Sequence, residues 1–291
     1  MKKLSNRAVV CMLSSLLLAI FISIMGIMLS VKLGFASNNS VMNSMNEVDY
    51  YQMVYNDFIS KCESLAIPNG LNKEVFDGVV SVEQIRSDGN SYLKAELNSS
   101  TFEINIEGYS KKLSDNIYAY VEKNNLTADG DIDEIVDSFC EDIMDYYIEV
   151  IRLPYASTIG AVFRTISDYF PYVFCAMFVL SLGTIWILVK QNPHKRNRIF
   201  RYLAYSTMSG AISTLVVPIF CMITRFYRRL QIYPEYMYKF IVRYIEDGIN
   251  IMLSIGVIFL VVSIAMICLS SYIKYQYKHE NDKKQKTEEL E

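Results

Sequence analysis

The chain has 291 residues, 52% of them hydrophobic and 20% charged, with a formal net charge of −3. Its two histidines, His194 and His279, fall in charged segments, which leaves little for a zinc centre, a histidine triad or a histidine proton relay. No basic excess points to nucleic acid, and the length allows one membrane unit plus one domain of ordinary size.

In chain order, four stretches carry no charged side chain for 21 residues or more: 8–31, 169–189, 202–224 and 248–273. At about 1.5 Å per residue, roughly 20 helical residues cross a hydrocarbon layer about 30 Å thick. The expected fold is an all-α membrane protein. Four transmembrane helices (8–33, 169–189, 202–224 and 248–273) frame a mainly α-helical extracytoplasmic domain, 34–168, inserted between helices 1 and 2. The remaining segments are an N-terminus of 1–7, a basic loop of 190–201, an aromatic and basic segment of 225–247, and a charged tail of 274–291. The first uncharged run, 24 residues, exceeds the roughly 7–15 of a signal-peptide core. Lys32 also separates it from the small-x-small stretch Gly34-Phe35-Ala36, so an uncleaved anchor is expected.

Charge gives a direction. Segment 32–168 has 10 Lys/Arg against 23 Asp/Glu, a net −13, while loop 190–201 has five bases and no acid. Loops rich in Lys and Arg resist translocation. The N-terminus, loop 190–201 and tail together hold 13 Lys/Arg, against five in 225–247. The expectation is a plasma-membrane protein with both termini cytoplasmic and the acidic domain outside. Arg225, Arg228 and Arg229 run against that rule.

Within 34–168, 37–45 reads as a polar linker. Val48, Tyr51, Tyr55, Phe58, Ile59, Cys62 and Leu65 recur at helical spacing, predicting a helix over about 46–66 that Ile67-Pro68-Asn69-Gly70 stops. Ser81 and Gln84 fit a capping box. Beyond them a helix interrupted at Asp88-Gly89-Asn90, then a short extended piece, competes with a hairpin of 92–97 against 101–106. Tyr109, Leu113, Ile117, Tyr120 and Val121 mark another helix. The strongest pattern is Ile132, Ile135, Val136, Phe139, Ile143, Tyr147 and Val150, over about 131–152. Residues 156–168 read as a helix feeding the second span.

Few motifs carry chemistry. Cys62 and Cys140 either pair as a disulfide in an oxidising compartment or stay as buried thiols; the other four cysteines lie one per span. Residues 125–132 resemble the start of an EF-hand loop, but Val136 stands where a bidentate Glu is required. No metal or cofactor is expected. Glu134, Asp137, Glu141, Asp142, Asp145 and Glu149 could bind a cationic partner, but such a run reads more simply as the solvated face of a helix. Ser206, Gly210, Ser213 and Thr214 form a small-residue face in the third span, suited to close helix packing. No Asp, Glu, Lys, Arg or His lies within any of the four uncharged runs, which argues against an ion-coupled pathway. Residues 227–245 mix six aromatic rings with Arg228, Arg229, Lys239 and Arg243, which suits a helix at the membrane surface or docked against the acidic domain. Arg228, Arg229, Tyr236, Lys239 and Arg243 are the candidate interaction surface.

The Pro68-Asn69-Gly70-Leu71 turn and the basic hairpin at 192–198 resemble a group of uncharacterised four-span membrane proteins of Gram-positive bacteria with an extracytoplasmic domain, and that resemblance implies no named activity. The layout is also similar to four-span ABC permeases with an outer domain after the first span. However, seven residues before the first span and twelve in the inner loop leave no coupling helix for an ATPase. The expected function is therefore non-enzymatic: an acidic outer domain, held by the bilayer, for a protein or envelope partner. A transport-complex subunit and a membrane-bound enzyme are the alternatives.

Overall fold

The computed structural model describes residues 6–98, 100–125, 131–193 and 196–288, and among them every regular element is helical. The α-helices are α1 (Asn6–Gly34), α2 (Asn38–Glu47), α3 (Tyr50–Ala66), α4 (Val82–Asn98), α5 (Glu107–Asn124), α6 (Ile132–Ile151), α7 (Ala156–Gln191), α8 (Arg196–Thr224) and α9 (Glu235–Glu288). Four helices, α1, α7, α8 and α9, are long and apolar enough to cross a membrane. The EF-hand-like residues 126–130, Ser99 and His194 lie outside the described residues.

The chain forms two compact units. The span unit comprises Met1–Ser40, Ile166–Leu230 and Ile245–Glu291; the polar unit comprises Val41–Thr165 and Gln231–Tyr244. A contiguous 34–168 domain was expected. The observed polar unit instead recruits Gln231–Tyr244 from far along the chain, because Tyr50 of α3 needs Tyr236 and Phe240 beside it to be buried.

The span unit packs through small residues. A Cβ on Gly210 would fall 2.6 Å from Ile22 Cγ2, and one on Gly26 would fall 2.7 Å from Thr214 Oγ1. These two contacts bring α1 and α8 together at near-backbone distance, the usual device where lipid removes the hydrophobic driving force. Hydroxyls then bridge helices: Ser206 donates to the Ser15 carbonyl at 2.8 Å, and Ser263 donates to the Ala204 carbonyl at 3.0 Å. Cys11, Leu18 and Leu188 form a small buried cluster with Ile22, Ile185, Tyr202 and Leu203 packed around it. Ser206 and Thr214 are buried as the small-residue face requires, whereas Ser213 is exposed: it lies one residue off the face that meets α1. The outward surface is apolar, with Leu16, Val179, Val216, Ile223 and Val261 all exposed.

Two boundaries differ from expectation. The stretch read as a polar linker is helix α2, whose Val41, Ser44 and Met45 are buried. Burial of the Val41–Met45 pair, one turn apart, overrides the poor helix propensity of its Asn and Ser residues. Asp49, left-handed at φ 51°, separates α2 from α3. At the other end, no separate surface helix covers 227–245. Phe226–Arg229 is a 3-10 turn, and α9 runs unbroken from Glu235 to Glu288. Nothing in that stretch stops a helix: it holds no proline, and Gly248 and Gly256 lie where Phe35 and Leu215 press against the backbone. Pro234 sits one place earlier than the first helical position, its carbonyl accepting from the amides of Met237 and Tyr238.

The polar unit has an aromatic core. Phe58 stacks on Tyr146 at 6.0 Å and meets the Tyr147 ring edge-on at 5.6 Å. Around them Val54, Ile85, Leu113, Ile117, Ile143 and Met144 are buried. Asp88 lies within this core edge, its Oδ2 accepting from Tyr147 at 2.7 Å and Tyr109 at 3.1 Å. Gly89 does not break α4, because the Tyr51 ring covers it and a Cβ there would fall 2.8 Å from Tyr51 Cε1. Neither the interruption at 88–90 nor the hairpin of 92–97 against 101–106 forms: α4 runs unbroken from Val82 to Asn98 and 101–106 has no regular structure, while both arms of the Ser81–Gln84 capping box form, at 2.7 and 3.3 Å. The Pro68-Asn69-Gly70-Leu71 turn is a helix stop: Gly70 is left-handed and the Leu71 amide reaches back to the Ala66 carbonyl at 3.1 Å. Cys62 and Cys140 are separate free thiols, both buried; the pairing left open by the sequence is not formed.

Candidate binding cleft

One large cleft opens in the polar unit, with a volume of about 900 Å³. Its walls follow from helical spacing. On α3, Tyr50, Asp57 and Lys61 lie seven and four residues apart, on one face. On α6, Tyr146, Glu149 and Val150 do the same. Tyr236, Met237 and Phe240 supply the third wall from the first turns of α9.

Two tyrosines stand at the rim. Tyr155, in the turn between α6 and α7, holds a left-handed φ of 62°, an unusual conformation for a bulky residue. Its side chain is 81% exposed, and that of Tyr233 is 93% exposed. Large aromatic rings held in water at the mouth of a concavity are contact area without a partner.

The charges are as particular as the rings. Tyr146 donates to Asp57 Oδ2 at 3.2 Å. Burial, then the Asp57 carboxylate, push the Tyr146 phenol well above its ordinary range. Burial, then Asp57 and Glu149, push the Tyr236 phenol up to about 12. Both phenols are protonated at neutral pH, and Tyr146 uses its proton to hold Asp57. Arg152 also lines the cleft, but its charge acts on Tyr92 of α4. Asp57, Glu149, Lys61 and Arg152 form no ion pair among the described residues.

The residues nominated from sequence divide between the units. Arg228 binds Glu246 through two nitrogens, at 2.7 and 2.9 Å, and with Arg229, on the 3-10 turn, belongs to the span unit. Lys239 pairs with Glu235 at 2.8 Å and Arg243 pairs with Glu47, both within the polar unit. Only Tyr236 lines the cleft. Asp57, Tyr146, Tyr155 and Tyr233 were missed, and Glu149 stood out only as one of an acidic run. The available signal was proline beside tyrosine, in Pro154-Tyr155 and Tyr233-Pro234, which marks exposed rings on turns. The acidic face of α6 is solvated throughout, and its last member, Glu149, reaches the cleft. Among the described residues no cluster of His, Cys, Asp and Glu could hold a metal ion.

Comparison with protein families, with curated proteins and with solved structures finds no match to this chain.

Proposed function

We propose that this chain is a multi-pass plasma-membrane protein, with both termini in the cytoplasm, that presents its polar unit outside the cell as a non-enzymatic binding module. The observation that carries this reading is the open, tyrosine-rimmed cleft. It has the size of a ligand site, and its groups suit holding a ligand rather than reacting with one: protonated phenols, carboxylates in water, and no histidine or cysteine in its wall. The Lys/Arg distribution supports the orientation. The span unit supports an anchoring role, since its interior is filled by small residues and hydroxyl bridges and its uncharged runs offer no relay.

Thiol labelling tests the orientation. On a background with Cys175 and Cys268 replaced by Ala, Glu103→Cys reacts with a membrane-impermeant maleimide on intact cells. Arg198→Cys reacts only after permeabilisation. The reverse pattern would overturn the proposal.

A further inference from the structure

We propose that the cleft binds a small organic cation, an ammonium or guanidinium carried on an apolar body, seated between the Tyr146 and Tyr236 rings and the Asp57 and Glu149 carboxylates. This rests on the reading of the polar unit as a binding module and names what it binds.

Three features of the cleft argue for a positive head group. Its two carboxylates come from different helices, α3 and α6, and neither is neutralised by an ion pair, although Glu47, Glu74, Glu235 and Glu246 elsewhere all are. Among the described residues, the one side-chain hydrogen bond to Asp57 comes from Tyr146, which leaves acceptor capacity on both its oxygens. Aromatic rings surround these acids, and the negative face of a tyrosine attracts a cation most strongly where water is partly removed. Tyr50 and Phe240, buried in the wall, and Met237 between them supply the apolar floor for the body of such a ligand.

Lys61 and Arg152 are the counter-argument, since an anion could seek them. Lys61 follows Asp57 by one turn and Arg152 follows Glu149 by three residues. Both are exposed, and long basic side chains in water extend away at little cost. The Asp57 carboxylate bears on both the Tyr146 and Tyr236 phenols, and the Glu149 carboxylate bears on Tyr236. The centre of the cleft is thus acidic and aromatic, and its bases stand at the margin.

The test uses the purified full chain in nanodiscs of zwitterionic lipid, with empty nanodiscs as the partition control. Three probes of one shape are titrated calorimetrically at neutral pH: phenethylamine, phenethyl alcohol and 3-phenylpropionate. Phenethylamine should bind saturably and about tenfold more tightly than the alcohol, the combined effect of ring and carboxylate on a charged head. The double variant Asp57→Asn/Glu149→Gln should bring amine and alcohol to parity. Tyr236→Phe should keep most of the amine affinity and Tyr236→Leu should lose it, because the ring face rather than the hydroxyl makes the contact. Lys61→Gln/Arg152→Gln should leave the preference intact or raise it. Equal binding of amine and alcohol, tighter binding of the propionate, or no saturable binding of the amine would each overturn the proposal. These outcomes are separate from the labelling result: a reversed orientation would remove the outward-facing module while leaving the amine preference of the purified chain standing.

Discussion

The two units solve the same packing problem with opposite residues. In the span unit, helices meet where side chains are smallest, at Gly26, Gly210 and Ser206, and hydroxyls reach across to backbone carbonyls. In the polar unit, helices meet where side chains are largest, at Phe58, Tyr146 and Tyr147. The difference follows from the surroundings. In lipid, burying a leucine gains little, so close approach and dispersion do the holding. In water, removing apolar area is worth about 25 cal/mol per Å², so bulky rings are favoured. The contrast teaches that size conservation should matter in both units but in opposite directions.

Truncation in the polar unit should have the largest effect. Tyr147 is fully buried and anchored to Asp88. Tyr147→Ala should cost about 3–5 kcal/mol, read as a lowered thermal midpoint of the full chain. Enlargement should be the damaging change in the span unit. Gly210→Val drives a branched side chain into Ile22 and should cost about 1–3 kcal/mol, whereas Leu16→Ala on the exposed apolar face should be near neutral. If Gly210→Val melts like the unchanged chain, the small-residue account of α1 and α8 fails.

Alkali should separate the units next. Burial raises the Cys62 thiol from 9.0 to about 12 and the Cys140 thiol from 9.0 to about 11, and burial with nearby carboxylates raises the Tyr236 phenol from 10.0 to about 12. Each group holds its proton more tightly folded than unfolded. Its contribution to stability is whole below the unfolded value and is lost as pH climbs through the folded one. Stability of the polar unit should therefore fall progressively from about pH 9 to pH 12, while the long apolar helices, packed through glycines and serine hydroxyls that do not titrate in that range, keep their far-UV signal. A melt unchanged across that range would contradict it. The smallest effects are single hydroxyls. Ser81→Ala removes the α4 cap and should cost about 1 kcal/mol; Ser206→Ala removes the bridge to Ser15 and should cost about 0.6 kcal/mol.

Much of the helix content was legible because its signals are local. The apolar spacing of Ile132 to Val150, the Ser81–Gln84 box and the uncharged runs each declare themselves within a few turns. What was hidden depends on distant neighbours. Asp88-Gly89-Asn90 reads as a break until Tyr51 covers Gly89. Residues 37–45 read as a linker until burial of Val41 and Met45 decides for a helix. The cleft draws on three segments separated by about ninety and eighty positions, and no periodicity within any one of them announces that Asp57, Glu149 and Tyr236 converge. The basic residues were misleading for a physical reason: Arg228, Lys239 and Arg243 stand out by charge, yet each is matched by a carboxylate at home.

Discontinuity of the polar unit sets a timetable for its birth. Residues 41–165 leave the ribosome well before Gln231–Tyr244, which close over Tyr50. At about 5–20 residues per second, the intervening 166–230 stretch takes roughly 3–13 seconds to synthesise. For that interval the Tyr50 side of the nascent unit waits uncovered. Its completion is therefore timed by insertion of the second and third apolar helices, and a stall at that stage would hand quality control a polar unit lacking one wall.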